Sequence, residues 1–174
     1  MLGGVTIPAF LLSFLSFVDS GQHRWLLGLG VSYDNYTKRP GLNPNVTYRL
    51  IANLFMGPDV TFMLKRVSYL NGVREERREI EYNFNANQLI HVNETWAVYP
   101  MAGVNLSKET VQVEGQPETK QVYLGLNIGG GLEAELKTFK LFFEAKYVTE
   151  PQRYDVTLGF MFRPERKYHE EQVK

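Results

Sequence analysis

The residues with the most chemical potential are few and scattered. The chain has three histidines, His23, His91 and His169, and no cysteine, which removes thiolate metal sites, Cys nucleophiles and disulfide scaffolds. Glu79 and Glu81 stand two apart on the polar side of an alternating stretch, EIEYNFNAN (79–87), and paired carboxylates can do acid-base work. They adjoin the charge run REERRE, so they read as a solvated strand end. The histidines are not clustered with one another or with Asp, which argues against a metal centre. The sequence therefore predicts no catalytic residue, no cofactor and no metal. Glu144, Lys146 and Asp155 form a second charged group, in FFEAKY and RYDVT. Their value depends on the elements that carry them.

Those elements are strands. In EIEYNFNAN, Ile80, Tyr82, Phe84 and Ala86 alternate with Glu79, Glu81, Asn83, Asn85 and Asn87, a period of two. Eight such runs, each about nine to thirteen residues long, lie near 23–33, 45–56, 60–69, 79–88, 95–107, 121–134, 140–148 and 153–163. One face of each is large and apolar, as in Trp25, Leu27, Leu29 and Val31 or Leu124, Leu126 and Ile128. The other is small or polar, as in Gly28, Gly30 and Ser32 or Gly125, Asn127 and Gly129. A closed sheet of eight strands has an interior just wide enough for side chains to fill it. The large face must point outward and the small polar face inward.

An outward apolar face needs lipid. Chain averages of 44% hydrophobic and 22% charged residues do not oppose this, because alternating strands dilute the hydropathy signal with lumen residues. Nineteen basic and nineteen acidic residues cancel, which leaves no composition-level case for nucleic acid. The odd connections (DNYTKRPGLNP, LNGVREERRE, KETVQVEGQPETK) read as long polar loops and the even ones include tight turns at MGPD and ELKTF, the asymmetry of extracellular loops and periplasmic turns. Aromatics sort into two interfacial girdles: Tyr33, Tyr48, Tyr82, Tyr147 and Tyr154 at the outer strand ends, and Trp25, Trp96, Phe160 and Phe162 at the inner. The predicted fold is all-β, an eight-stranded antiparallel up-and-down transmembrane β-barrel with a filled polar interior.

The N-terminal apolar run from Val5 to Val18 is too short for a comfortable membrane helix of about 20 residues and suits a signal peptide, although no positive n-region precedes it. The predicted organisation is a signal peptide at 1–21, the barrel at 22–163 and a short charged periplasmic tail at 164–174.

WAVYPMAGVNLS (96–107), YLGLNIGGGLEAEL (123–136), LFFEAKY (141–147) and YDVTLGFMF (154–162) resemble the small eight-stranded outer-membrane barrels, the OmpX and OmpA-transmembrane-domain kind, often grouped as porin-family proteins. YDVTLGFMF resembles the terminal signal read by the barrel-assembly machinery. The tail after Phe162 departs from that pattern, in which the signal usually closes the chain. The resemblance implies a Gram-negative outer-membrane location, a bilayer with lipopolysaccharide as surroundings, the assembly machinery as partner during insertion, and the option of a larger outer-membrane complex that the chain joins as an accessory subunit.

Within that architecture all three histidines fall on the periplasmic side, away from the outer leaflet where a lipid-modifying barrel enzyme would need one. The inward charges carry more information. Pairing about TEPQR sets Lys146 opposite Asp155 and Glu144 opposite Thr157, while Gly129 and Gly131 leave room for the long side chains. The predicted lumen network is Arg49, Glu81, Asn83, Asn85, Glu133, Glu144, Lys146 and Asp155, since buried charges must be paired. It fits either a closed hydrogen-bonded plug or a narrow ion path, and eight strands favour the plug. The predicted role is non-enzymatic: structural, loop-presenting or adaptor-like. The alternatives are a narrow pore, and a lipid-binding or lipid-modifying barrel. The four N-x-S/T triplets, at Asn35, Asn45, Asn93 and Asn105, and the glycine runs GLGVS and GLNIGGG are products of Asn- and Gly-rich strands, not sites.

Overall fold

Period-two alternation leaves each strand with one face to hide and both edges to pair, and a ring of strands meets both needs. A computed structural model describes residues 25–70 and 72–162. The expected signal peptide, the charged tail, His23 and His169 lie outside the described residues. The strands are β1 (Trp25–Asp34), β2 (Arg39–Ile51), β3 (Leu54–Leu70), β4 (Val73–Gln88), β5 (Ile90–His91), β6 (Trp96–Val113), β7 (Thr119–Glu135), β8 (Lys140–Thr149) and β9 (Gln152–Phe162). Each pairs antiparallel with its neighbours, and β1 closes on β9 from Leu27↔Phe162 to Asp34↔Asp155. The two-residue β5 prolongs the line of β4 along β6, so the wall has eight staves. No helix among the described residues is long and apolar enough to cross a membrane.

Outward residues are apolar on every stave. Leu124, Leu126 and Ile128 are 73%, 54% and 58% exposed, so the large apolar face of β7 points outward, as the alternation predicts. Tyr33, Tyr82, Tyr147 and Tyr154 ring the upper end, with Tyr147 and Tyr154 at 5.0 Å. Trp25, Trp96, Phe160 and Phe162 ring the lower end, with Phe160 and Phe162 at 4.9 Å. Tyr48 belongs to the lower ring, not the upper: it pairs with Trp25, ring to ring at 4.7 Å. The cause is register. β2 begins at Arg39, because RPGLNP, which reads as loop, is recruited as a strand by β1. Tyr48 is thereby carried to the far end.

The β2–β3 turn also moves. It lies at Ala52 and Asn53, with Ala52 at φ 25°, and MGPD is interior to β3. Ala52, Leu54 and Met56 therefore do not continue the outward face of β2, and Asn53 is exposed in the turn. Gly57 is required where it stands, since a Cβ there would collide with the Val46 carbonyl oxygen.

The expected upper loops are largely strands. β2 pairs with β3 as far as Gly41↔Met63, and β8 pairs with β7 as far as Asn127↔Val148. Beyond those points β3, β4, β6 and β7 continue as a four-stranded tongue, paired up to Leu70↔Val73, Glu75↔Val113 and Val111↔Thr119. Gly72 at φ +82° and Gly115 at φ +77° supply the left-handed residues that let these hairpins reverse tightly. Arg and Glu in REERRE alternate between the two faces of the tongue instead of lining a loop.

Candidate functional site

The interior of the barrel is the place where the chain concentrates buried polar groups, and it is layered. The upper layer centres on Arg153. Its side chain is fully buried, and its guanidinium meets Glu81 at 2.9 Å, Asp155 at 3.6 Å, the Ser107 hydroxyl at 2.8 Å and Glu79. Arg39 donates to the other Glu79 oxygen at 2.6 Å, so Glu79 is clamped between two guanidinium groups. Asp34, also buried, accepts from the Tyr36 backbone N–H and the Thr37 hydroxyl at 2.6 Å each, which fixes the β1–β2 turn above this layer. Glu79 is thus no solvated strand end. Inward parity carries it under the base of the tongue, where two arginines wait.

The middle layer is built from amides. Asp59 accepts hydrogen bonds from Asn43, Asn83 and Asn85 at 2.8 Å each. Asn105 donates to Asn83 at 2.8 Å, and Asn127 to Asn83 and Asn85 at 2.9 and 2.8 Å. This chain of amides crosses the barrel through five staves, from β2 to β7. Lys146 reaches in from β8, 4.0 Å from Asp59, and in register it lies opposite Asp155 and beside Gly129.

The lower layer departs from the expected polar filling. Leu26, Phe55, Leu89, Ala97, Tyr99, Met101, Phe142 and Met161 pack together inside the wall. Arg49, expected among the ion pairs, lies with its guanidinium 5.3 Å from the Phe55 ring centre. Glu133 does not join the central network: it pairs with Lys140 at 3.1 Å at the lower rim. Tyr99 crosses over Gly131 and donates to Glu144 at 3.4 Å. A void of about 40 Å³ lies between the amide layer and this apolar floor, lined by Asn45, Asn87, Asp59 and Glu144 among others. It has room for a few waters.

Of the expected lumen residues, Glu81, Asn83, Asn85, Lys146 and Asp155 lie in the two upper layers, Glu144 at the boundary with the third, and Arg49 and Glu133 at the lower end. Sequence reasoning missed Arg153, Arg39, Asp59 and the apolar floor. The floor had a signal: in LFF (141–143) and FMF (160–162) the alternation fails, and an unbroken apolar run marks a strand buried on both faces. Among the described residues no group of His, Asp and Glu is arranged to hold a metal ion.

Outside the wall, Glu76 gathers charge on the tongue. Lys65, Arg74 and Arg78 contact its carboxylate at 2.7, 3.4 and 2.5 Å. The hydrogen bond from Lys65 is the main reason its carboxyl is held below the usual carboxylate range, with Arg78 adding to it.

No protein-family model and no curated sequence matches the chain. Solved structures do. The N-terminal β-barrel domain of Pseudomonas aeruginosa OprF superposes with a TM-score of 0.63 at 16% identity, over 82% of this chain and 98% of that one. A major outer membrane protein from Thermus thermophilus gives 0.62 at 12% identity, over 80% and 98%. Neisserial surface protein A gives 0.58 at 15% identity, over 83% and 99%. The chain has the fold shared by these small eight-stranded outer-membrane β-barrels.

Proposed function

We propose that this is a closed, non-enzymatic barrel of the Gram-negative outer membrane with a structural or adaptor role. The observation that carries the reading is the Arg153 layer: a fully buried guanidinium held by three carboxylates, over an amide layer and an apolar floor, supports an interior filled by side chains. The outward apolar belt between two aromatic rings supports lipid as the surrounding solvent. β9, with Tyr154, Val156, Leu158, Phe160 and Phe162 all outward, has the alternation that the barrel-assembly machinery would read. A filled interior puts function on the surface, either in the bilayer or beside a larger complex. The tongue supports the adaptor part, since it lifts a sheet clear of the rim.

The test is reconstitution of the full chain into lipid vesicles and planar bilayers. Heat-modifiable migration on gels and the absence of conductance steps are the expected results. Conductance that changes on substituting Lys146 or Glu144 would establish a narrow pore instead.

A further inference from the structure

The outward face of the tongue carries cations on one side of the barrel only. Lys108 lies on this face, its ammonium 5.3 Å above the ring of Tyr82 in the upper aromatic ring, and it pairs in register with Ile80 and Val122. Two residues beyond Ile80 stands Arg78, 63% exposed, and two beyond that Glu76, which holds Arg78, Lys65 and Arg74 around one carboxylate. Four cations thus face outward against one acid. Lys120, also on the tongue, is taken up by Glu118 at 3.0 Å. On the opposite side the β1–β2 and β8–β9 hairpins end at the rim, where Lys38 is the cation of the turns. Arg39 and Arg153 there point inward and are buried.

Position identifies what the cations meet. The upper aromatic ring at Tyr82 places the outward side chains one and two steps higher, the levels of Lys108 and Arg78, among the lipid headgroups, while Glu76 and Arg74 stand three and four steps higher. Lys108 runs its aliphatic stem along the Tyr82 ring and lifts its ammonium to the headgroup level, the behaviour of an interfacial lysine. Arg78 donates to Glu76 through Nε and Nη2, which holds the guanidinium in place and leaves its Nη1 for a phosphate oxygen. The lower part of the patch, Lys108, Arg78 and Lys65, is continuous with the belt, whereas Arg74 stands one pair below the end of the β3–β4 hairpin.

We propose that Lys65, Arg78 and Lys108 form a docking surface for the phosphate groups of the outer-leaflet glycolipid, with Glu76 holding Lys65 and Arg78 together. This rests on the outer-membrane reading above. The surface gives the barrel a preferred side, along which anionic lipid is held, while the opposite side contacts lipid through its apolar belt alone.

The full chain is reconstituted in phosphatidylcholine vesicles containing bis-phosphorylated lipid A, re-extracted in mild detergent, and the co-purifying lipid A is measured by mass spectrometry. The wild type is expected to retain it, and the combined variant Lys65→Gln, Arg78→Gln, Lys108→Gln to retain about ten-fold less, since three solvent-screened ion pairs are lost. Lys38→Gln is expected to match the wild type, and dephosphorylated lipid A to be retained about ten-fold less than the phosphorylated form. Equal retention by the triple variant, or equal retention of the dephosphorylated lipid, overturns the proposal. So does binding of a soluble sulfated glycan that lipid A does not reduce, which would assign the patch to an extracellular polyanion. Heat-modifiable migration is followed in every sample. Its absence from the wild type would sink the membrane reading itself, whereas its presence with unchanged lipid retention removes the patch alone.

Discussion

Arg153 and Glu81 meet at 2.9 Å inside the barrel, one on β9 and the other on β4, and neither side chain is exposed. No ladder joins these two strands, so the contact is made across the lumen. It binds opposite walls at the level where the tongue begins. The same guanidinium also answers Glu79 and Asp155, so its removal leaves three acids facing one another with Arg39 and Lys146 as the remaining nearby cations.

Arg153→Met is accordingly expected to destabilise the barrel by about 3–5 kcal/mol, the usual result of stripping one partner from a buried ion group. Urea unfolding in lipid vesicles measures it. The double variant Arg153→Met, Glu81→Gln should recover part of the loss, because it removes one orphaned charge. A loss under about 1 kcal/mol in the single variant would mean that water replaces the guanidinium, and the lumen would not be closed by this layer.

The outward half of each strand was legible because it obeys one simple rule, alternation, and Lys146 opposite Asp155 followed from the short turn between β8 and β9. Arg153 was missed at the same turn: it opens the run at 153–163 but is also the last residue of TEPQR, which reads as the connection, whereas β9 already starts at Gln152. Extending the inward parity of Asp155 by one step would have found it. Tyr48 was misplaced because Pro and Gly in RPGLNP argue against a strand locally, and only the ladder to β1, from Asp34↔Arg39 to Leu29↔Pro44, overrides them. The tongue was hidden for a related reason. Polar residues on both faces remove the hydropathy contrast on which strand detection depends, so REERRE and KETVQV look like loops although they pair residue for residue.

Tyr99 and Gly131 show how narrow the interior is. A Cβ on Gly131 would lie 2.7 Å from the Phe143 carbonyl oxygen and closer still to the Tyr99 ring. Gly131→Val is expected to cost about 1–3 kcal/mol by overpacking and to displace Tyr99 from Glu144. Urea unfolding gives the first quantity, and near-ultraviolet circular dichroism reports the second. Retained stability with an unchanged aromatic spectrum would show slack in the floor that the packing does not predict.

Glu76 offers a titration on the tongue, outside the belt. Its carboxyl is held below the usual range chiefly by the Lys65 hydrogen bond. A depressed folded value means that the pair stabilises the tongue above the unfolded carboxylate pKa, and that this contribution fades as pH falls through the folded value. Carboxyl carbon shifts recorded by NMR against pH should show a midpoint below that of an unfolded glutamate. Lys65→Gln should move it upward. An unchanged midpoint in that variant would mean Arg78 and Arg74 hold the acid without help.

The outward belt makes the final prediction, and it depends on depth. Leu29 lies midway between Trp25 and Tyr33 on β1, hence midway between the two aromatic rings. Val122 pairs with Lys108, above the upper ring. If lipid surrounds the wall, Leu29→Arg places a charge at the bilayer midplane and should cost about 2–4 kcal/mol, whereas Val122→Arg places one near the headgroups and should cost about 0–1 kcal/mol. Both are measured by urea unfolding in the same vesicles. The contrast separates a lipid environment from an aqueous one, because both side chains are exposed and a charge on either would be nearly free in water.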